Sequence, residues 1–395
     1  MKDEKINDQD PTVPACIDGT IAPKSAEEAC EIATGEEKHL SIFDRYLSLW
    51  VLLCIALGTA IGYLLPATAD ALEKATYAQV SLPIAVLIWL MIYPMMLKID
   101  FASILQAGKK PKGVVVTTVS NWLVKPFTMY AFASLFLLVI FNPWIPYDLG
   151  KEYLAGCILL GAAPCTAMVF VWSYLADGDA AYTLIQVAIN DAIILFAYAP
   201  IVMFLMGVSG ISIPYDTVIL SVVLFVVIPL FFGYVSRKVL LKRKGADWFE
   251  NVFLKKLSNV TVVSLLLTLI IIFIYQGKTI VENPLHILMI AVPLTINTYF
   301  IFAFSYGWAW MWRINFEIAA PAGFVAASNF FELAVAVAIS LFGLKSGAAL
   351  ATVVGVLEEV PIMLTLVWIA KKTKGWVDRR YAGASVKAKT QEEAA

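Results

Sequence analysis

A chain of 395 residues that is 60% hydrophobic and only 15% charged carries more apolar surface than a soluble core can bury, and its mean hydropathy is +0.79. Soluble domains keep roughly a quarter of their residues charged, so the chain reads as an all-α polytopic membrane protein. The net charge of −1 identifies no partner, and nothing in the pattern points to nucleic acid. Five irregularly spaced cysteines argue against a secreted disulfide framework, and two histidines, His39 and His286, argue against a His-based zinc centre.

Residues 1–45 are polar and acidic, with Pro11, Pro14 and Pro23, and read as a largely disordered cytoplasmic leader with a short helix around Ala26 to Ala33. No basic stretch followed by a short apolar run opens the chain, so no cleaved signal peptide is expected. Residues 46–370 hold ten apolar spans, each long enough to cross about 30 Å of hydrocarbon with roughly 20 residues. They run Tyr46–Leu65, Gln79–Leu97, Val114–Phe141, Tyr153–Leu175, Ala180–Val208, Tyr215–Val235, Leu257–Tyr275, Leu285–Met311, Ile318–Phe342 and Gly347–Ala370. Residues 371–395 form a basic tail.

Between the second and third spans, Gly108-Lys-Lys-Pro-Lys-Gly113 mimics a phosphate loop, but Val114 and Val115 stand where Lys and Ser/Thr are required. With no nucleotide-binding domain, any transport must be driven by an ion gradient or by a separate ATPase subunit. No Ser/His/Asp constellation is present, so the chain does not read as an enzyme. In the third span Lys125 precedes Pro126; a buried ammonium needs a counter-charge, for which Asp191 and Glu359 are the candidates.

The fourth span reads Gly161-Ala-Ala-Pro-Cys165-Thr-Ala-Met-Val-Phe-Val-Trp172. Pro164 has no N–H and clashes with the carbonyl four residues back, so a helix must break there. Broken backbone is tolerated at membrane depth only when buried in protein or lining a watery cavity. Cys165 is expected at the start of the second half-helix, where the helix dipole favours a thiolate. The plain alternative is a small apolar filler, which is the reading for Cys54 and Cys157. Trp172, two helical turns beyond Cys165, would share its face, although such a tryptophan more often packs or anchors the membrane interface.

Asn190 and Asp191 follow in the fifth span. In the ninth, Ser328-Asn-Phe-Phe-Glu332 spaces Asn329 and Glu332 as a capping box, with Asn329 capping a second half-helix. The carboxylate would then serve only backbone donors. Yet an ionisable group inside the membrane is a functional candidate by default, and Glu332 suits a proton carrier. Glu358 and Glu359 lie in the tenth span, where ion pairing and function are both open readings.

Asn190-Asp191-Ala-Ile-Ile194 resembles Glu358-Glu359-Val-Pro-Ile362, and Ala162-Ala-Pro-Cys165 matches the position of Ala326-Ala-Ser-Asn329. Two halves of five spans, about 46–208 and 215–370, must have opposite topology. Inverted repeats with interrupted spans at matching positions point to a transporter's midplane site.

Gly161-Ala-Ala-Pro-Cys-Thr-Ala-Met-Val-Phe-Val-Trp-Ser173 and Ser328-Asn-Phe-Phe-Glu-Leu-Ala-Val-Ala-Val-Ala338 resemble the arsenical-resistance-3 family of arsenite efflux permeases. Asn121-Trp-Leu-Val-Lys-Pro-Phe127 and Asn190-Asp191 support the resemblance, which runs from about Tyr46 to Ala370. It implies the bile/arsenite/riboflavin transporter superfamily, with broken helices four and nine crossing in a core domain. It implies that Cys165 and Glu332 match the family's essential cysteine and glutamate, Cys165 as the arsenic(III) ligand and Glu332 in arsenite/proton exchange; whether antimonite is also carried stays open. Asn190, Asp191, Glu359, Lys125, Asn329 and Trp172 are supporting candidates. No cofactor is implied; arsenite, protons and membrane lipid are the partners.

Two alternatives carry different expectations. A sodium-coupled organic-anion symporter of the same fold would not need Cys165 and would take up solute in a sodium-dependent way. A membrane receptor would use the acidic leader to bind a cytoplasmic partner.

The basic residues set the orientation. Lys98, Lys109, Lys110 and Lys112, the run from Arg237 to Lys256, Arg313 and the tail lie on alternate connections, while the opposite ones hold only Lys74, Lys151, Lys278 and Lys345. The positive-inside rule places both termini in the cytoplasm, with the protein in the cell membrane. Reporter fusions at Arg243 and in the carboxyl tail are therefore expected on the same side; opposite sides would refute the count.

Overall fold

The computed structural model describes residues 47–65, 67–68, 76–77, 80–98, 111–165, 168–282 and 284–392. The acidic leader with Cys16 and Cys30, and most of the basic turn before the third span, lie outside the described residues. The fold is helical apart from a two-residue hairpin, β1 (Thr76–Tyr77) and β2 (Val80–Ser81), paired antiparallel with Thr76 opposite Ser81. An apolar chain in lipid must bond its backbone within each segment, which leaves the helix as the default.

In chain order the helices are α1 (Leu47–Leu64), α2 (Leu82–Lys98), α3 (Pro111–Ile140), α4 (Tyr147–Gly161), α5 (Val169–Leu175) and α6 (Ala180–Val208). They continue with α7 (Tyr215–Lys244), α8 (Lys255–Glu282), α9 (Pro284–Met311), α10 (Phe316–Ala327), α11 (Phe331–Phe342) and α12 (Gly347–Glu392). A π turn, Trp248–Leu254, leads into α8. Among the described residues six helical stretches are long and apolar enough to cross a membrane, and shorter apolar helices accompany them. The protein is a polytopic membrane protein.

Burial separates the helices into two kinds. Residues Tyr153 to Gly161 of α4 are buried without exception, as are Ile318 to Ala327 of α10 and Phe331 to Ile339 of α11. A helix apolar all round and buried all round is a core helix. The outer helices instead present Leu49, Leu52, Leu53 and Leu57 on α1 and Phe231 and Phe232 on α7, the surface that lipid solvates. At 1.5 Å per residue, 12-residue α10 and α11 each cover only about 18 Å, so neither reaches across the hydrocarbon alone.

The breaks lie where the sequence places them, between α4 and α5 and between α10 and α11, but their details differ from the sequence expectation. The second half-helix α5 begins at Val169, four residues after Cys165, so Cys165 stands in the non-helical segment and not at a helix start. The register argument that put Trp172 on the face of Cys165 therefore does not apply. Phe330, not Asn329, is the N-cap of α11, without a side-chain cap bond, and the expected capping box is absent. At both breaks, freed backbone groups find partners on the other break: the Cys165 N–H on Ser328 and the Phe330 N–H on Ala163.

Two further differences concern length and pitch. The helix α12 continues through the basic tail to Glu392. Its cationic face is held by aromatic rings: Arg380 lies 3.8 Å from the Trp310 ring centroid, Lys372 4.0 Å from Trp368, and Trp376 stacks on Trp310 at 4.3 Å. Within α3, residues Ser120–Val124 form a π turn, because Pro126 cannot donate an N–H to the preceding turn and the ladder slips by one residue.

Close packing of α1 against α8 depends on small residues. A Cβ at Gly62 would lie 2.1 Å from the Ile274 carbonyl oxygen, and one at Gly58 2.7 Å from that of Ile270. This is the Gly-xxx-Gly approach that membrane helices use where no hydrophobic force drives them together. Gly62→Val should cost about 1–3 kcal/mol through overpacking. It is expected to lower the melting temperature of the detergent-solubilised protein, whereas Leu57→Ala on the exposed face leaves it unchanged.

Candidate functional site

The two breaks pair with each other. Pro164 and Asn329 form an isolated antiparallel bridge. The Phe330 N–H donates to the Ala163 carbonyl at 2.8 Å, and the Cys165 N–H donates to the Ser328 carbonyl at 3.3 Å. Extended backbone at Ser328 (φ −76°, ψ 152°) turns that carbonyl out of α10. Each break thus supplies the partners that the other lost, so non-helical backbone survives inside the protein.

Lys125 is attached to this bridge. Its Nζ donates to the Ser328 carbonyl at 2.5 Å, and the residue is 1% exposed. The Ser328 hydroxyl donates to Glu359 Oε1, and the Asn329 N–H also bonds the Glu359 carboxylate. Lys125 is close enough to interact through its charge with both Glu359 and Cys165. Of the two counter-charges open to Lys125 in the sequence, Glu359 is the one the fold brings to it. Glu332, buried in the first turn of α11, interacts with Glu359. Its carboxylate sits at the positive end of α11 and bonds its own backbone N–H.

The Cys165 side chain packs in a small apolar cluster with Val169, Val187 and Val325, bordered by Met168 and Phe170. Sulfur at this point is walled from the main core yet lies beside the charges of the bridge. Cys157 is elsewhere, fully buried in α4 near Glu358, whose carboxylate accepts from Thr295 at 2.8 Å. Cys54 lies on α1.

The remaining candidates occupy a neighbouring polar layer. Asn190 Oδ1 accepts from Trp122 Nε1 at 3.2 Å and from Asn121 Nδ2 at 3.4 Å. Asn190 Nδ2, Asn121 Oδ1, Ser120 Oγ, Asp191 Oδ1 and Asn329 Oδ1 are buried without a hydrogen-bond partner among the described residues. Such orphaned groups are rare in native proteins and suit ordered water or a hydroxylated solute. Trp172 is buried in the apolar cluster that contains Phe316, Phe324 and Met363, and its Nε1 has no hydrogen-bond partner among the described residues.

Ser328, Asn121 and Trp122 hydrogen-bond to the sequence candidates, although the sequence offers them only as members of the resembling motifs. Ser328 contributes through its carbonyl, and no residue type signals a carbonyl. Asn121 lies in the π turn before Lys125, a feature that only the structure reveals and that recurs at functional sites. Among the described residues no group of three or more His, Cys, Asp or Glu could hold a metal ion.

Buried thiol, ammonium and carboxyls gathered at two interrupted helices of a polytopic bundle are the architecture of a membrane transporter. A family model described as the Sodium Bile acid symporter family matches residues 85–283. The chain is 62% identical to the arsenical-resistance protein Acr3 of Alkaliphilus metalliredigens over 86% of its length and 96% of the relative. It is 50% identical to an uncharacterized transporter of Synechocystis sp., covering 86% and 91% of the two chains. A second arsenical-resistance protein Acr3, from Corynebacterium glutamicum, is 33% identical over 84% of this chain and 89% of that one. The chain belongs to the Acr3 arsenical-resistance family of membrane transporters, within the sodium bile acid symporter family.

Proposed function

We propose that this protein exports arsenite across the cell membrane in exchange for protons, with Cys165 as the substrate ligand and Glu332 as the proton carrier. The observation that carries the reading is the bridge between the two breaks, with Lys125 interacting with both Cys165 and Glu359, and Glu359 in turn with Glu332. The ten spans, five in each inverted repeat, account for this pairing: matching interruptions meet at a pseudo-two-fold, as the antiparallel bridge does. Residues 46–370 are the transporter domain, and both termini face the cytoplasm.

Arsenous acid is neutral near physiological pH, so charge cannot select it, but a soft sulfur can. The Cys165 sulfur bonds arsenic, a hydroxyl leaves as water with the thiol proton, and no redox change occurs. Lys125 supplies the positive charge that a thiolate ligand requires beside it. One sulfur instead of three lets hydrolysis release the solute and restore the thiol. The unpartnered atoms of Asn121, Asn190 and Asn329 support a polar partner such as the remaining hydroxyls.

Coupling requires the protonated and ionised site to favour different conformations, because a ligand shifts an equilibrium only by its differential affinity. Glu332 deprotonates toward the cytoplasm as arsenite binds and is reprotonated from outside as arsenite leaves. Glu359, bound to Ser328 and Asn329 on the break, links this proton to the backbone that must move. Antimonite, with the same sulfur chemistry, is a second substrate.

Cys165→Ser is expected to abolish arsenite resistance in cells lacking another exporter, while serine at Cys54, Cys157, Cys16 or Cys30 leaves it intact. Near-normal resistance with Cys165→Ser would refute the thiolate site. Glu332→Gln should lose arsenite accumulation driven by a pH gradient in everted vesicles yet retain binding through Cys165. Accumulation at the wild-type rate would move the proton to another group, Glu359 first.

A further inference from the structure

We propose that Lys125 is a tethered cation that fills the place of a coupling metal ion, so that this transporter neither needs nor takes sodium. The Ser328 carbonyl, exposed by the break, accepts from Lys125, and the hydroxyl of the same residue donates to the Glu359 carboxylate, whose charge acts on Lys125. Carbonyl, carboxylate and hydroxyl oxygens form a hard donor set, the kind that unwound backbone offers to an alkali cation in transporters. In this chain the cation at the position is an ammonium on a side chain, 2.5 Å from the Ser328 oxygen and interacting with Glu359.

Local structure explains how a lysine reaches so far into the bundle. The π turn Ser120–Val124 rotates the residues that follow it relative to an unbroken helix, and Lys125 opens the next helical stretch. Pro126 fixes the slip, since it cannot donate the N–H that would draw the turn back into α pitch. The result is a fully buried lysine whose charge is balanced within the protein.

Family context sharpens the consequence. The segment matching the sodium bile acid symporter family spans residues 85–283 and includes Lys125. A free sodium ion binds and leaves, and so transmits its gradient; a tethered ammonium cannot leave. It holds the two breaks together and neutralises Glu359 without adding a driving force, which leaves proton exchange as the source of energy. The inference rests on the arsenite-transport reading for its transport test alone, because the stability test needs no substrate.

Two measurements test it. Melting of the purified protein is followed in sodium chloride and in equimolar N-methylglucamine chloride for wild type, Lys125→Ala, Lys125→Arg and the double variant Lys125→Ala with Glu359→Gln. Wild type and Lys125→Arg should melt alike in both salts. Lys125→Ala should melt lower and be raised by sodium in a saturable way, and the double variant should lose that response because its carboxylate is gone. In everted vesicles Lys125→Ala should lose arsenite accumulation by about an order of magnitude without sodium and regain part of it with sodium. A Lys125→Ala protein indifferent to sodium in both measurements would overturn the proposal. So would a sodium-raised melting temperature or sodium-stimulated accumulation in wild type, a result that stands even if the alanine variant does not fold. Should wild-type vesicles fail to accumulate arsenite at all, the transport reading falls, and the sodium response of Lys125→Ala still decides the tethered cation.

Discussion

Two helices end inside a hydrocarbon-soluble protein, and each must find partners for the backbone it frees. The pair of hydrogen bonds from Phe330 to Ala163 and from Cys165 to Ser328 meets that demand. Unpaired backbone groups cost several kcal/mol each in such an environment, so the breaks hold only in each other's company. α4, α10 and α11 are accordingly the most completely buried elements. The small residues of α10, α11 and α12 let the backbones approach closely; a Cβ on Gly156 would already lie 2.4 Å from the Ala348 carbonyl oxygen.

Charge collects at the bridge for the same reason. A carbonyl turned out of a helix retains a lone pair for a cation, and Lys125 takes it; a carboxylate then balances the ammonium. Glu359 is tied to the break by the Ser328 hydroxyl and the Asn329 N–H, so any change in its protonation acts on the backbone itself. Structure and chemistry share one set of groups here. That economy is what the proposed exchange cycle uses, since a proton that alters the bridge alters which conformation the breaks prefer.

Away from the centre, the helices answer to lipid. α1 and α7 show apolar side chains outward, and α1 meets α8 through glycines that let backbone touch backbone. At one end, the rings of Trp310, Trp368 and Trp376 hold Lys372 and Arg380 of the extended α12. Tryptophan with lysine and arginine is the usual interfacial anchor of a membrane helix.

Some of this was legible in residues alone because it follows from local chemistry. Composition requires a membrane protein; Pro164 lacks an N–H whatever surrounds it; and a lysine such as Lys125 at membrane depth requires a carboxylate. The approximate span limits follow from hydropathy. What the sequence left open is how groups freed in one segment are satisfied by a segment some 165 residues away. The apparent capping box at Asn329 and Glu332 obeys the local rule, yet Phe330 takes the cap position and the Asn329 N–H goes to Glu359. Cys165 lies outside α5 with its N–H on Ser328, and the choice of Glu359 over Asp191 for Lys125 depends on which helix passes the break. Local rules say that a backbone group needs a partner; only the tertiary structure decides which one, because that choice is a matter of distance in space.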